Sequence, residues 1–149
     1  MKKVIVLLLV VSMFMMCTAC SSNNSDEKTT TSRSYETGNL EQIKNDIDAN
    51  LARATETYVG SYYQFYVEFS SVTSDAKKII AYGEIPSDSV IINSVRVDGT
   101  VVNKNAKDMV LSLNKGDIIL VKGKITDLYY SMGYTVKMDI YEITIQYMG

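Results

Sequence analysis

The chain has 149 residues, of which 46% are hydrophobic and 21% are charged, a composition typical of a globular protein and not of a disordered one. Lysine and arginine number 15 against 17 aspartate and glutamate residues, and the net charge is −2. Because proteins that bind phosphate backbones gain most of their affinity from lysine and arginine, this balance predicts that nucleic acid is not a partner.

The first residues have the three-part pattern of an export signal. Lys2 and Lys3 precede an apolar run, Val4 to Met16, that is shorter than the roughly 20 residues of a membrane-spanning helix. Ala19 and Cys20 follow it, and the segment resembles the lipoprotein signal family, in which a small residue precedes a cysteine that receives diacylglycerol. The resemblance implies a cleaved signal over 1–19, a lipid on Cys20 and a location on the extracytoplasmic face of the cell membrane. The alternatives are an ordinary signal peptide and an uncleaved anchor.

Residues 20–38 contain hardly any apolar side chains. Such a stretch cannot bury enough surface to offset the entropy lost on ordering, so the sequence predicts a flexible tether there. The domain is expected over 39–149. It opens with a helix capped by Asn39, because apolar residues recur every three or four positions, at Leu40, Ile43, Ile47, Leu51, Ala54 and Tyr58.

After Gly60 the apolar pattern changes to the alternation of β-strands. Strands are predicted from Tyr62 to Phe69, at Lys77–Gly83 and at Val90–Val97, where Asp98-Gly99 indicates a turn. A short helix follows over 105–113, then a strand at Ile118–Thr126 with a bulge at Gly123, a loop at Asp127–Gly133 and a last strand at Tyr134–Ile145.

This order of three strands, a short helix and two strands predicts a mainly β fold, the five-stranded barrel of the OB-fold, preceded by an α-helix. Two stretches, residues 50–60 and the run Leu-Asn-Lys-Gly-Asp-Ile-Ile-Leu-Val-Lys-Gly that begins at Leu113, resemble the exported OB-fold proteins of the tRNA_anti-like family. The resemblance implies an exported OB-fold domain and names no catalytic residue.

Most catalytic arrangements are excluded by composition. Histidine is absent, and Cys20 is expected to carry lipid, so triads and zinc sites that need histidine or a free thiol cannot form in the mature chain. No phosphate-binding glycine loop or calcium loop is present, so no cofactor or metal is expected. A pair of carboxylates acting as a hydrolase remains the weakest alternative. The sequence therefore predicts that the protein is not an enzyme.

The unusual feature of the composition is eleven tyrosines without tryptophan. In OB-folds, ligands lie across the second and third strands, between the loops that follow strands one and four. Tyr82, Tyr129, Tyr130 and Tyr134 fall near this region and are the candidate ligand-binding residues. The alternative is that these tyrosines only pack, because tyrosine is common in strands.

Two functions remain open at this point. The first is a membrane-anchored, non-enzymatic binding module that contacts an envelope component or a protein through residues 127–133 and the adjacent sheet. The second is a structural or accessory lipoprotein that assembles with other proteins, with the edge at Val90–Val97 as its docking strand.

Overall fold

The computed structural model describes residues 33–84 and 94–146. The predicted signal, Cys20 and the first part of the predicted tether lie outside the described residues. Two helices and six strands form the described part, in this order: β1 (Glu36–Thr37), α1 (Leu40–Tyr58), β2 (Tyr62–Val72), β3 (Lys78–Glu84), β4 (Ser94–Val101), α2 (Lys104–Val110), β5 (Ile118–Tyr130) and β6 (Tyr134–Ile145).

Strands β2 to β6 form a closed barrel. The hydrogen-bonded order is β2-β3-β4-β6-β5, and β5 pairs back onto β2 through residues 62–68. All these pairings are antiparallel except that of β4 with β6. The strand order, and the short helix between the third and fourth barrel strands, confirm the predicted OB-fold.

The core fills the barrel and is covered at one end by α1. Alternate residues of each strand point inward, and α1 adds the apolar face on its barrel side. Burial of each large side chain contributes roughly 1.5–3 kcal/mol. The fully buried large side chains include Ile43, Phe65, Ile79, Val97, Ile119, Ile125, Met138 and Ile140.

Helix α1 begins after Asn39, as predicted, but it is interrupted at Asn50, which was not predicted. The Asn39 side chain accepts a hydrogen bond from the Gln42 backbone N–H at 3.1 Å. Asn50 has extended backbone angles inside α1, and its side chain accepts a hydrogen bond from the Arg53 N–H, which caps a second helical segment. The interruption changes the phase of the helix. Leu51 is therefore 38% exposed, and its predicted place on the buried face is wrong.

The turn predicted at Asp98-Gly99 is wrong, because both residues lie within β4. Close packing of the core explains why residue 99 is a glycine. A Cβ atom there would collide with the side chain of Ile140 and press against Ile79, both of which fill the core. A glycine demanded by close packing was interpreted as a turn signal. Residues 90–93 of the predicted third strand lie outside the described residues.

The loop predicted at Asp127–Gly133 is also mostly strand. Leu128 is buried, and Tyr129 and Tyr130 pair with Thr135 and Tyr134 of β6. Only residues 131–133 remain as a loop, which we call the β5–β6 loop. The bulge predicted at Gly123 is confirmed by a register shift between Lys122 and Gly123.

The end of the predicted tether lies against the barrel. Glu36 and Thr37 pair with Tyr63 and Gln64 of β2 as a short parallel strand. The Arg33 guanidinium lies 4.1 Å from the centroid of the Tyr141 ring, a cation–π contact. Residues 33–38 therefore contribute contacts to the domain, which was predicted to begin at residue 39.

We expect Asn50→Ala to destabilise the domain by about 1 kcal/mol, because it removes the cap of the second segment of α1. Asn45→Ala, an exposed position in the first segment, is the matched control and should stabilise slightly, because alanine is the better helix former. Urea denaturation midpoints measure both. Equal midpoints for the two variants would contradict the capping role of Asn50.

Candidate ligand-binding face

The outer face of β3 and β4 carries a row of polar and aromatic side chains. Tyr82 of β3 lies opposite Arg96 of β4, and Arg96 lies opposite Thr135 of β6. Thr135 in turn lies opposite Tyr129 of β5. Side chains alternate along a strand, and the row points outward because each of its residues has a buried neighbour facing the core, such as Ala81, Val97, Leu128 or Val136. Thr135 itself is covered by its neighbours in the row. It places two tyrosine rings on either side of Arg96.

An ion pair lies in the middle of this face. The Arg96 Nε is 2.6 Å from the Asp98 Oδ1, and this hydrogen bond raises the pKa of the arginine. The Tyr129 hydroxyl donates a longer hydrogen bond, 3.4 Å, to the other Asp98 oxygen. The arginine plane and the Tyr129 ring are thus held by one carboxylate.

Lys137 of β6 also contacts the Tyr129 ring. Its Nζ lies 4.7 Å from the centroid of the Tyr129 ring and 3.2 Å from a carboxylate oxygen of Asp127. Both contacts are at the surface, where each is worth a fraction of 1 kcal/mol to about 1 kcal/mol. They restrict the orientation of Tyr129 more than they stabilise the fold.

Two clefts lie on this face, one on each side of the Arg96–Asp98 pair. The first, about 520 Å³, is lined by Tyr82, Arg96, Tyr129, Tyr134 and the β5–β6 loop; we call it the aromatic cleft. The second is about 370 Å³. It lies towards the loop formed by residues 73–77 and is lined by Thr73, Lys78, Asp98, Thr100, Thr126 and Lys137; we call it the hydroxyl cleft.

Of the four tyrosines predicted to bind ligand, three line the aromatic cleft. Tyr82 is 37% exposed and Tyr129 is half-buried. Tyr134 also lines the cleft, but its hydroxyl is directed towards α1. Tyr130 is 60% exposed and packs on Tyr134, with ring centroids 4.9 Å apart, outside the cleft lining.

Tyr134 connects the rim of the cleft to helix α1. Its hydroxyl donates a 2.5 Å hydrogen bond to Asp48, and the Lys44 ammonium lies 4.7 Å from its ring centroid and 2.9 Å from Asp48. The hydrogen bond from Tyr134, followed by that from Lys44, lowers the pKa of Asp48. The same bond raises the pKa of Tyr134.

Sequence reasoning missed Arg96, Asp98 and Thr135 as parts of this face. Arg96 and Asp98 were interpreted as the end of a strand and a turn, although the alternation of apolar residues at 95, 97 and 101 continues through them. Recognition of a strand that passes through Asp-Gly would have placed both side chains on the outer face.

Within residues 33–84 and 94–146, no cluster of three or more potential metal ligands occurs. Hydrogen bonds from Thr73 and Lys77 hold the pKa of Asp75 well below its usual range, which suits a structural carboxylate in a loop and not a general acid. None of the described helices has the length and apolarity needed to span a bilayer.

No protein-family model matches the sequence, and no curated protein matches it either. Solved structures of similar fold do exist. The mitochondrial single-stranded DNA-binding protein Rim1 of S. cerevisiae is 17% identical, with a TM-score of 0.44 over 57% of this chain and 92% of Rim1. A Klebsiella pneumoniae lipoprotein to which nucleic-acid binding is ascribed is 13% identical, with a TM-score of 0.45 over 76% of this chain and 92% of that protein.

The Entamoeba histolytica aspartyl-tRNA synthetase is 8% identical, with a TM-score of 0.47, over 74% of this chain and 21% of the enzyme. At these identities the similarity concerns the fold. The chain is thus an OB-fold protein, as its own strand order shows.

The exclusion of nucleic acid from the net charge is wrong as an inference, because proteins of similar fold include a single-stranded DNA-binding protein and a Klebsiella lipoprotein to which nucleic-acid binding is ascribed. The prediction rested on the net charge of the whole chain. OB-folds bind single strands through a local positively charged groove together with aromatic side chains on which bases stack, so the net charge of the whole chain does not decide whether they bind.

We expect Tyr134→Phe to lower the stability of the domain at pH 7, because it removes the hydrogen bond to Asp48. The lowered pKa of Asp48 means that this contribution is complete above the ordinary aspartate pKa of about 4 and is lost as the pH falls through the folded-state value. The difference in urea midpoint between Tyr134→Phe and the wild type should therefore shrink below about pH 4.

Tyr130→Phe is the matched control for Tyr134→Phe. It removes the hydroxyl of the neighbouring stacked ring, and among the described residues that hydroxyl has no hydrogen bond to a side chain. Its midpoint should equal that of the wild type at both pH values. A Tyr134→Phe difference that does not depend on pH would show that Asp48 is not the acceptor that matters.

Proposed function

We propose that the protein is a membrane-anchored, extracytoplasmic and non-enzymatic binding module, and that its ligand is a single strand of nucleic acid lying across the outer face of β3 and β4. One observation carries this proposal. Tyr82 and Tyr129 stand on either side of Arg96 in an open cleft beside the β5–β6 loop.

The geometry of the two rings fits a flexible chain of stacked units. Tyr82 and Tyr129 are three strand spacings apart around the barrel, or about 14 Å at roughly 4.8 Å per spacing. A single planar molecule cannot contact both rings face on, whereas successive bases of an extended strand can. Stacking of a base on an aromatic side chain is worth about 1–3 kcal/mol and does not depend on which base is stacked.

Arg96 suits the same ligand. A guanidinium can stack on a base and also hydrogen-bond to a phosphate oxygen, and the Asp98 carboxylate keeps its plane in one orientation. Because Asp98 offsets the charge of Arg96, the aromatic cleft itself is close to neutral. Binding there should therefore depend mainly on stacking.

Two comparisons support this ligand class. Rim1 is described as a single-stranded DNA-binding protein. The Klebsiella protein is a lipoprotein, and nucleic-acid binding is ascribed to it. The OB-fold in general uses this face and these two loops to hold oligonucleotides and oligosaccharides. In the present chain, the exposed Tyr82 and the half-buried Tyr129 lie on this face.

The proposed location rests on the amino-terminal sequence. An apolar run of the length typical of signal peptides, Val4 to Met16, is followed within four residues by Ala19-Cys20. Diacylglycerol would add two fatty chains, which is sufficient for stable anchoring, whereas a single chain gives only marginal binding. The ligand would then be one that is present outside the cytoplasm.

The hypothesis of assembly by strand addition required a free strand edge at Val90–Val97. From Ser94 onwards, β4 is hydrogen-bonded to β3 on one side, and from Val95 onwards to β6 on the other. An incoming strand needs unpaired backbone groups at a sheet edge. The described part of the predicted edge therefore offers no site for strand addition, and the binding module is the better-supported function.

We expect Tyr82→Ala and Tyr129→Ala each to weaken the binding of oligothymidylate about 10- to 100-fold, in line with the loss of one stacked base. Tyr66→Ala is the matched control, because Tyr66 is 57% exposed on β2 and lines neither cleft. Fluorescence anisotropy with a labelled oligonucleotide measures the affinities. If Tyr66→Ala weakens binding as much as Tyr82→Ala, the assignment of the face is wrong.

We expect Cys20→Ser to release the protein from the membrane fraction, because the serine cannot receive diacylglycerol. Mass spectrometry of the native protein should show an amino-terminal Cys20 with added lipid mass. Cys17→Ser is the matched control and should leave the protein in the membrane fraction. Recovery of an unmodified Cys20 from native protein would refute the anchor.

A further inference from the structure

The hydroxyl cleft differs in chemistry from the aromatic cleft on the same face. No aromatic ring lines it. Four residues with hydroxyl groups line it beside apolar residues of β2 and β3, together with Lys78, Lys137 and the Arg96–Asp98 pair. Lys137 is paired with Asp127. Lys78 is exposed at the start of β3, and among the described residues no carboxylate oxygen lies within 4.0 Å of its amine.

The loop beside this cleft is held in one conformation. The Thr73 hydroxyl donates to Asp75 at 2.7 Å and accepts from the Lys78 backbone N–H at 3.0 Å, and Asp75 also accepts from the Lys77 N–H. Ala76 has a φ of 53°, a left-handed conformation that costs a non-glycine residue roughly 1–2 kcal/mol. The hydrogen bonds and the burial of Ala76 hold the loop in this strained form.

Because the Lys78 backbone N–H is hydrogen-bonded to the Thr73 hydroxyl, the rigid loop fixes the start of β3, where Lys78 lines the cleft, and little further backbone entropy is lost on binding. The Thr73 hydroxyl already donates to Asp75, so the donors for an oxygen anion are the hydroxyls of Ser71, Thr100 and Thr126 and the Lys78 ammonium group, which adds a charge attraction. An aromatic base, by contrast, finds no ring to stack on there. The chemistry of the hydroxyl cleft therefore favours a phosphate group.

We propose that the hydroxyl cleft is a separate subsite for the phosphodiester backbone of the strand whose bases stack in the aromatic cleft, with Lys78 as its principal cation. This inference rests on the proposed function. Tyr82 and Lys78 are four residues apart on β3, or about 14 Å along the strand at roughly 3.4 Å per residue. One nucleotide cannot reach both clefts, so the site requires an oligonucleotide.

The two subsites should differ in their response to salt. Each phosphate neutralised on a single strand contributes about −0.7 to the slope of log K against log salt concentration, whereas stacking contributes little. Lys78→Gln should therefore make the slope shallower by about 0.7. The affinity lost between about 50 and 200 mM salt then becomes smaller by roughly 2.5-fold. Tyr82→Ala should weaken binding with the slope unchanged.

The experiment measures the affinity of the full chain for an oligothymidylate of about eight nucleotides, within the site size of OB-folds, over a salt series. Lys104→Gln is the matched control, because Lys104 is an exposed lysine on α2 that lines neither cleft. Its slope should equal that of the wild type. Circular dichroism and the urea midpoint establish that each variant is folded.

The outcomes separate the two proposals. A shallower slope for Lys78→Gln alone supports the phosphate subsite. An unchanged slope for Lys78→Gln, with weaker binding by Tyr82→Ala, overturns the subsite and leaves the proposed function in place. If the wild type does not bind the oligonucleotide even at low salt, the proposed function fails and the subsite with it. Binding of an uncharged oligosaccharide instead would overturn both.

Discussion

The double pairing of strand β2 is the constraint on which the rest of the structure depends. Its first half, residues 62–68, pairs with β5, and its second half, from Glu68, pairs with β3 across a register shift between Phe69 and Ser71. One strand thus belongs to both sides of the barrel and closes it. Closure fixes the neighbours of every other strand, so that Tyr82, Arg96, Thr135 and Tyr129 fall into one row although they come from four strands.

The same closure explains where binding groups can be displayed. Strands β3 and β4 are paired on both sides along much of their length, so recognition on this part of the barrel must come from side chains on the outer face or from loops. The outer face of β3 and β4 offers two chemically different clefts separated by an ion pair. In the proposed function, the aromatic cleft would hold planar bases and the hydroxyl cleft would hold the anionic backbone.

Much of the fold could be predicted from apolar periodicity, because the barrel interior requires strict alternation. The helix start at Asn39, the bulge at Gly123 and the final strand Tyr134–Ile145 were predicted correctly on this basis. The errors occurred where a residue serves tertiary packing. Gly99 leaves room for core side chains and does not form a turn. Asn50 caps a second helical segment inside a stretch whose apolar periodicity predicts one continuous helix.

The site was predicted less completely than the fold. Tyrosines near the β5–β6 loop could be placed by the general position of OB-fold ligands, but the Arg96–Asp98 pair was hidden by the Asp-Gly interpretation, and the hydrogen bond of Tyr134 to Asp48 joins residues far apart in sequence. Whole-chain charge was also a poor guide to partners. The net charge of −2 averages over all surfaces, whereas the proposed ligand would meet only one face, on which Lys78, Arg96 and Lys137 lie with Asp98.

The most direct test of this account is a backbone NMR titration of the full chain with an unlabelled oligothymidylate. We expect amide shifts to change mainly in β3, in β4 and around the β5–β6 loop. They should remain small at Tyr62, Gln64 and Tyr141, on the side of the barrel covered by residues 33–37. Shifts concentrated around those three residues, or none at any concentration of the oligonucleotide, would contradict it.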